Sequence, residues 1–149
     1  MNSIQKGDAA LVTVDAKAAE MAAATDSCES GFAHLGYLLL EVAEMQYWRV
    51  KFDTFQEYLK SVGKAAKKTP GELQKYFLTV RDLIDTFNPD QLEKMGITKA
   101  IKLRNAKDYA IVLPQTVIDA ALNPEVTVKD LKEVIARALK MPEDEKAEY

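Results

Sequence analysis

Thr69 to Phe87 reads TPGELQKYFLTVRDLIDTF. Thr69 is an N-cap residue, whose hydroxyl can take a free amide of the first helical turn. Pro70 suits the first helical position, where a missing N–H costs nothing. Glu72, three residues after the cap, completes a capping box. Leu73, Tyr76, Phe77, Val80, Leu83, Ile84 and Phe87 then recur at spacings of three and four, drawing one apolar stripe down one face. Gln74, Lys75 and Arg81 fall off that stripe. Phe77, in the middle of the stripe, is expected in the core.

The same signals organise the chain on either side. Met1 to Asp8 has no periodicity, and LVTV within Ala9–Val14 reads equally as a short strand or a loose helical turn. Residues 1–14 are therefore expected as a mobile N-terminal segment. Asp15 to Thr25 is Ala-rich and helical by propensity, but its small side chains bury little. It is expected to pack across a neighbour, as in a homodimer. Asp26 or Ser27 can cap the next helix, which is apolar on nearly all sides and runs to about Arg49. Gly36 inside it marks a close helix crossing. Asp53 with Gln56 starts a helix carrying Phe55, Tyr58, Leu59 and Val62, and Gly63 is placed to stop it.

Beyond Phe87, Asn88-Pro89 with Gln91 repeats the start signal, and Gly96 ends that short helix. Ile97-Thr98 leads into another helix to about Ala106. Pro114 opens one with Val117, Ile118, Ala121 and Leu122. Thr127 with Asp130 caps the last, and Pro142 stops it. No long strand pattern occurs. The expected fold is all-α: about seven helices, several short, with a helix-turn-helix-like centre. One helical domain is expected over 15–141, followed by an acidic C-terminal tail over 142–149.

Composition bounds the class. The 149 residues are 48% hydrophobic and 29% charged, a globular balance. The single cysteine, Cys28, excludes an internal disulfide and fits a reducing compartment. No signal peptide is visible, and the longest apolar run, near Phe32–Leu40, falls far short of the roughly 20 residues that span a membrane. The expected location is the cytoplasm. Net charge is −3, but it is unevenly spread: −5 over residues 1–59, +6 over 60–107 and −4 over 108–149. A basic centre between acidic flanks steers anionic partners even when the whole chain is negative.

No catalytic constellation stands out. His34 and Cys28 are six apart, on different sides of a helix, which disfavours a Cys–His nucleophile. Glu41 and Glu44 lack the second histidine of a carboxylate-bridged metal site. Gly63 and Gly71 lack the phosphate-loop pattern. The aromatic cluster Tyr47, Trp48, Phe52, Phe55 and Tyr58 has helical spacing and reads as core before it reads as a base-stacking platform. The chain is expected to be non-enzymatic, with no cofactor and no metal.

The basic segment carries the remaining signal. A helix over 55–62, a lysine-rich connection over Gly63–Lys68 and the capped helix from Thr69 give the order of a helix-turn-helix, with a connection longer than the usual three or four residues. Thr69, Gln74 and Lys75 fall where base edges would be met, and Lys64, Lys67 and Lys68 where phosphate would be. Lys99, Lys102, Arg104 and Lys107 form a second cluster with no acid between Lys94 and Lys107. These ten residues are the candidate nucleic-acid contacts. The alternative is a helical protein–protein interaction module, an inhibitor or adaptor.

Phe55-x-x-Tyr58-Leu59, the capped helix, Gly96-Ile97-Thr98-Lys99-Ala100-x-x-Leu103, Leu113-Pro114 and Thr127-x-x-x-Leu131 follow one another in the chain. This layout resembles small helical proteins of phages, plasmids and other mobile elements that carry a helix-turn-helix-like unit. It is similar to the helical DNA-binding part of plasmid-partition proteins. The resemblance runs from Gly31 to Leu139 and rests on spacing and residue type. It implies a DNA-binding regulator or accessory protein of a phage or mobile element, DNA being favoured over RNA as the partner.

Overall fold

The computed structural model describes residues 3–23 and 31–140. Among the described residues seven α-helices run in order: α1 (Ser3–Ala23), α2 (Phe32–Glu44), α3 (Phe55–Ala66), α4 (Pro70–Leu83), α5 (Pro89–Ala106), α6 (Gln115–Leu122) and α7 (Val128–Ala138). A 3-10 turn, Tyr47–Val50, lies between α2 and α3. No strand occurs among the described residues, so the chain is all-α. The expected caps at Asp26 or Ser27, Cys28, and the tail over 142–149 lie outside the described residues.

The chain divides into two compact units, Met1–Glu93 and Lys94–Tyr149, where one domain was expected over 15–141. The boundary falls in α5, close to Gly96, whose φ of 86° and ψ of 160° break the helix. That backbone conformation suits glycine and interrupts helical hydrogen bonding. The sequence places the stop at the same residue.

In the first unit, α1 replaces the mobile segment expected over 1–14. Gly7, Leu11, Val14, Ala18 and Met21 are buried along it. Their spacing of four and three is a helical stripe, and it packs on α2, α3 and the 3-10 turn. Gly7 and Ala18 hide the pattern because they add almost no hydropathy. The stripe is used inside the unit, so the Ala-rich segment needs no second copy of the chain to cover it.

The helix expected to reach Arg49 stops at Glu44. Gln46 turns left-handed (φ 56°), and the chain continues as the 3-10 turn. Phe32, Ala33, Leu35, Gly36, Leu39, Leu40 and Val42 are buried along α2, which packs on both α4 and α1. Gly36 sits at the crossing with α4. A Cβ there would lie 2.7 Å from the Val80 Cγ2 and 2.8 Å from the Tyr76 carbonyl oxygen. The close helix crossing read from the sequence is present.

α4 begins as its sequence requires. The Thr69 hydroxyl accepts from the Glu72 amide (3.1 Å), and the Glu72 carboxylate accepts from the Thr69 amide (3.3 Å). Leu73, Tyr76, Val80 and Leu83 are buried along it, and Phe87 is buried just beyond its end. Phe77 and Ile84 are half-buried, one position to the side of that line. Phe77 is thus a flank residue and not the core residue expected. Its ring meets Phe55 with centroids 5.5 Å apart, and the Arg81 guanidinium lies over it at 6.0 Å.

The N-terminus of α2 is capped from a distance. The Glu93 carboxylate accepts from the Gly31 and Ala33 amides at 2.8 Å and from the His34 amide at 3.3 Å. A carboxylate on these otherwise unpaired amides satisfies them and complements the helix dipole. Beside it, His34 Nε2 and Asp90 Oδ1 are 3.2 Å apart. Asn88 and Gln91 exchange reciprocal cap bonds at the start of α5 (2.8 and 3.0 Å), which aims Asp90 and Glu93 from one short helical turn. Glu93→Ala is expected to destabilise the first unit by about 1–2 kcal/mol, because three amides lose a charged acceptor. Urea denaturation followed by helix content measures this, and a midpoint equal to the parent's would show that the cap is idle.

In the second unit, α6 packs on α7. Leu103, Leu113, Val117, Ala121, Leu131 and Ile135 are buried. Thr127 and Asp130 form the expected capping box of α7 (3.1 and 3.4 Å).

Candidate nucleic-acid interface

The lysine-rich connection is shorter than its sequence suggests. Gly63 was placed as the residue that stops α3, but α3 continues to Ala66. Lys67 takes the left-handed conformation instead (φ 57°), and the Lys67 and Lys68 amides both donate to the Gly63 carbonyl. Gly63 is needed for a different reason. A Cβ there would lie 2.5 Å from the Lys68 carbonyl oxygen, so only glycine lets the returning chain pass. The turn between α3 and α4 is three residues, Lys67, Lys68 and Thr69, within the usual length for a helix-turn-helix.

The angle differs from that unit. A rise of about 1.5 Å per residue puts Phe55 roughly 16 Å and Phe77 roughly 10 Å from the turn. Helices meeting near a right angle would hold these rings on the order of 10 Å apart or more. Their centroids are 5.5 Å apart, and Gln56 Nε2 donates to Gln74 Oε1 at 3.2 Å. α3 and α4 therefore fold back on one another as a helical hairpin.

Lys64, Lys67 and Thr69 are exposed at the closed end of the hairpin, and Lys68 is half-buried there. With Lys60, Gly63, Pro70 and Glu72 they line a shallow groove of about 490 Å³. Lys60 was not among the expected contacts. Its signal was available, since it lies four residues before Lys64 on the same helix face. Lys75 is exposed on α4. Gln74 is half-buried and held by Gln56, so it is not presented as a base reader.

The second cluster lies in the second unit. Lys99 is buried, with Nζ 3.4 Å from the Asn123 carbonyl oxygen. Asn123 follows the last residue of α6, so this ammonium serves the carbonyl end of a helix. Lys99 was expected at the surface, and it leaves the set of phosphate contacts because its donor is enclosed. Lys102 stands beside Lys132, and partial burial, followed by the neighbouring Lys132 charge, lowers its pKa below the usual lysine value. Arg104 and Lys107 are half-buried, and each has an interaction partner in the fold.

The aromatic cluster is packing. Tyr58 is buried; Phe52 and Phe55 meet it with centroids 5.5 and 5.8 Å away, and Trp48 meets Phe55 at 6.5 Å. Among the described residues no three His, Cys, Asp or Glu side chains group as a metal site would require. No described helix is long and apolar enough to cross a membrane.

Compared with protein-family models, with curated proteins and with solved structures, the chain matches none.

Proposed function

We propose that this chain is a non-enzymatic protein that binds nucleic acid through the lysine groove at the closed end of the α3–α4 hairpin. One observation carries the reading. Lys60, Lys64, Lys67 and Lys68 line a single concave surface that contains only one acid, Glu72. Four ammoniums around a groove attract phosphate even on a chain whose net charge is −3. Contact is to the backbone and not to base edges, because the hairpin is closed and Gln74 is engaged. DNA ranks ahead of RNA on the resemblance to proteins of phages and plasmids, and the same resemblance favours a regulator's or accessory role in the cytoplasm.

Affinity should fall steeply with salt, with a log–log slope near −0.9 for each phosphate neutralised on duplex DNA. Replacing Lys60, Lys64 and Lys67 together by alanine should flatten the slope by up to about three contacts and weaken binding about 10- to 100-fold near 50 mM salt. All three are exposed, so the fold should survive, and circular dichroism checks that it does. Absence of any duplex or single-strand binding by the parent at that salt rejects the proposal.

A second reading is favoured by a different surface. Tyr109, Ile111 and Val112 are exposed in the connection between α5 and α6 of the second unit. Large apolar side chains left together in water suit a protein partner, as an inhibitor or adaptor would use them. Retention of a co-purifying protein by the triple lysine variant, with its loss on Ile111→Ser, would favour that reading.

A further inference from the structure

We infer that Glu72 is a built-in counter-anion of the lysine groove, one that closes it to small anions and leaves Lys60, Lys64 and Lys67 for an extended polyanion. The inference rests on the nucleic-acid reading and names what the groove selects. The start of a helix with neighbouring lysines would ordinarily receive an isolated phosphate. Here that place is filled by the chain itself. Glu72 Oε1 accepts from the Thr69 amide and hydroxyl, both at 3.3 Å, and Glu72 Oε2 lies 3.9 Å from Lys68 Nζ. A small anion arriving there must displace a carboxylate that already uses those donors, or stand beside its charge.

Lys60, Lys64 and Lys67 are in a different condition. They are exposed and form no ion pair among the described residues. Lys60 and Lys64 lie one turn apart on the same face of α3, and Lys67 follows at its left-handed C-cap, so the three line one groove. A chain of linked phosphates can meet all three and leave the capping box intact. One phosphate can meet them only singly, at the weak strength of exposed pairs. Glu72 thus sets a preference for length: it subtracts from every anion, and only a polyanion has enough other contacts to bind regardless.

Glu72→Gln tests this, since glutamine also serves at that position of a capping box and the helix start is kept. A short fluorescent DNA duplex should bind Glu72→Gln about 3- to 10-fold more tightly than the parent near 50 mM salt, with the gain shrinking as salt rises. Inorganic phosphate should shift the first-turn amide resonances of α4 in Glu72→Gln and leave them unmoved in the parent. Glu57→Gln is the control. Glu57 accepts from the Asp53 amide at the far end of α3, and the same change in net charge there should alter duplex affinity less than about twofold. Equal gains in both variants, or no gain in Glu72→Gln while the parent binds, overturn the inference. If no protein binds the duplex, the nucleic-acid reading fails, and the phosphate titration still decides whether Glu72 guards the site.

Discussion

Phe32→Ala is expected to be the most damaging aromatic truncation in the first unit, at about 3–5 kcal/mol. Phe32 is fully buried at the start of α2, and its ring lies 5.9 Å from that of Tyr76 on α4. Removing it takes a whole ring from the α2–α4 seam and leaves a cavity that two helices must close around. Phe77→Ala should cost clearly less, about 1–2 kcal/mol, because Phe77 already keeps part of its surface in solvent while Phe32 keeps none. The two variants differ in position and not in chemistry, so the comparison isolates burial. Denaturant melts with unchanged slope measure both. Losses of equal size, or a larger loss at Phe77, would mean that the buried line of α4 is not Leu73, Tyr76, Val80 and Leu83.

That contrast shows how far the sequence could be read. The apolar residues of α4 lie at two adjacent sets of helical positions. Leu73, Tyr76, Val80, Leu83 and Phe87 follow the alternation of three and four and take the centre. Phe77 and Ile84 extend the same stripe sideways, and spacing alone gives both sets equal standing. Which set is central depends on where α2 lies, a tertiary fact. Start signals were legible because a capping box is local: Thr69 with Glu72 and Thr127 with Asp130 appear as expected. The cap of α3 is Thr54 and not Asp53, because the Thr54 hydroxyl accepts from the first-turn Glu57 amide.

The groove was half legible for the same reason. A run of lysines is visible in any sequence, and Lys64, Lys67 and Lys68 do meet at one turn. Where α3 ends is not visible, because a lysine in left-handed conformation does the work usually expected of glycine, while the glycine serves a close approach. The Lys99 cluster failed differently. A lysine beside Ala100 on a helix looks exposed until the carbonyl end of α6 arrives from 24 residues away to receive it. Glu93 was equally hidden: it caps α2 from 62 residues later than Gly31, and no local pattern announces such a partner.

Gly36→Ala should lower stability by about 1–3 kcal/mol, against the sign that helix propensity alone dictates. In an open helix, alanine in place of glycine gains about 1 kcal/mol. At position 36 the new methyl would stand 2.7 Å from the Val80 methyl and 2.8 Å from the Tyr76 carbonyl oxygen. The Val80 side chain can turn aside at some cost in rotamer energy. The Tyr76 carbonyl cannot, since it belongs to the hydrogen-bonded backbone of α4. The two helices must therefore move apart, and Phe32 loses contact with Tyr76 along the seam. Gly36→Val should cost more again, because a branched side chain places further atoms in the same gap. Combining Gly36→Ala with Val80→Ala should not restore the loss, since the carbonyl remains. Gly71→Ala provides the opposite sign. Its Cβ would meet nothing nearer than the Thr69 Oγ1 at 3.8 Å, so it should be neutral or gain up to about 1 kcal/mol. Thermal melts of the four variants and the parent decide the matter. A Gly36→Ala variant that melts above the parent would show that α2 and α4 are not in backbone contact at this residue.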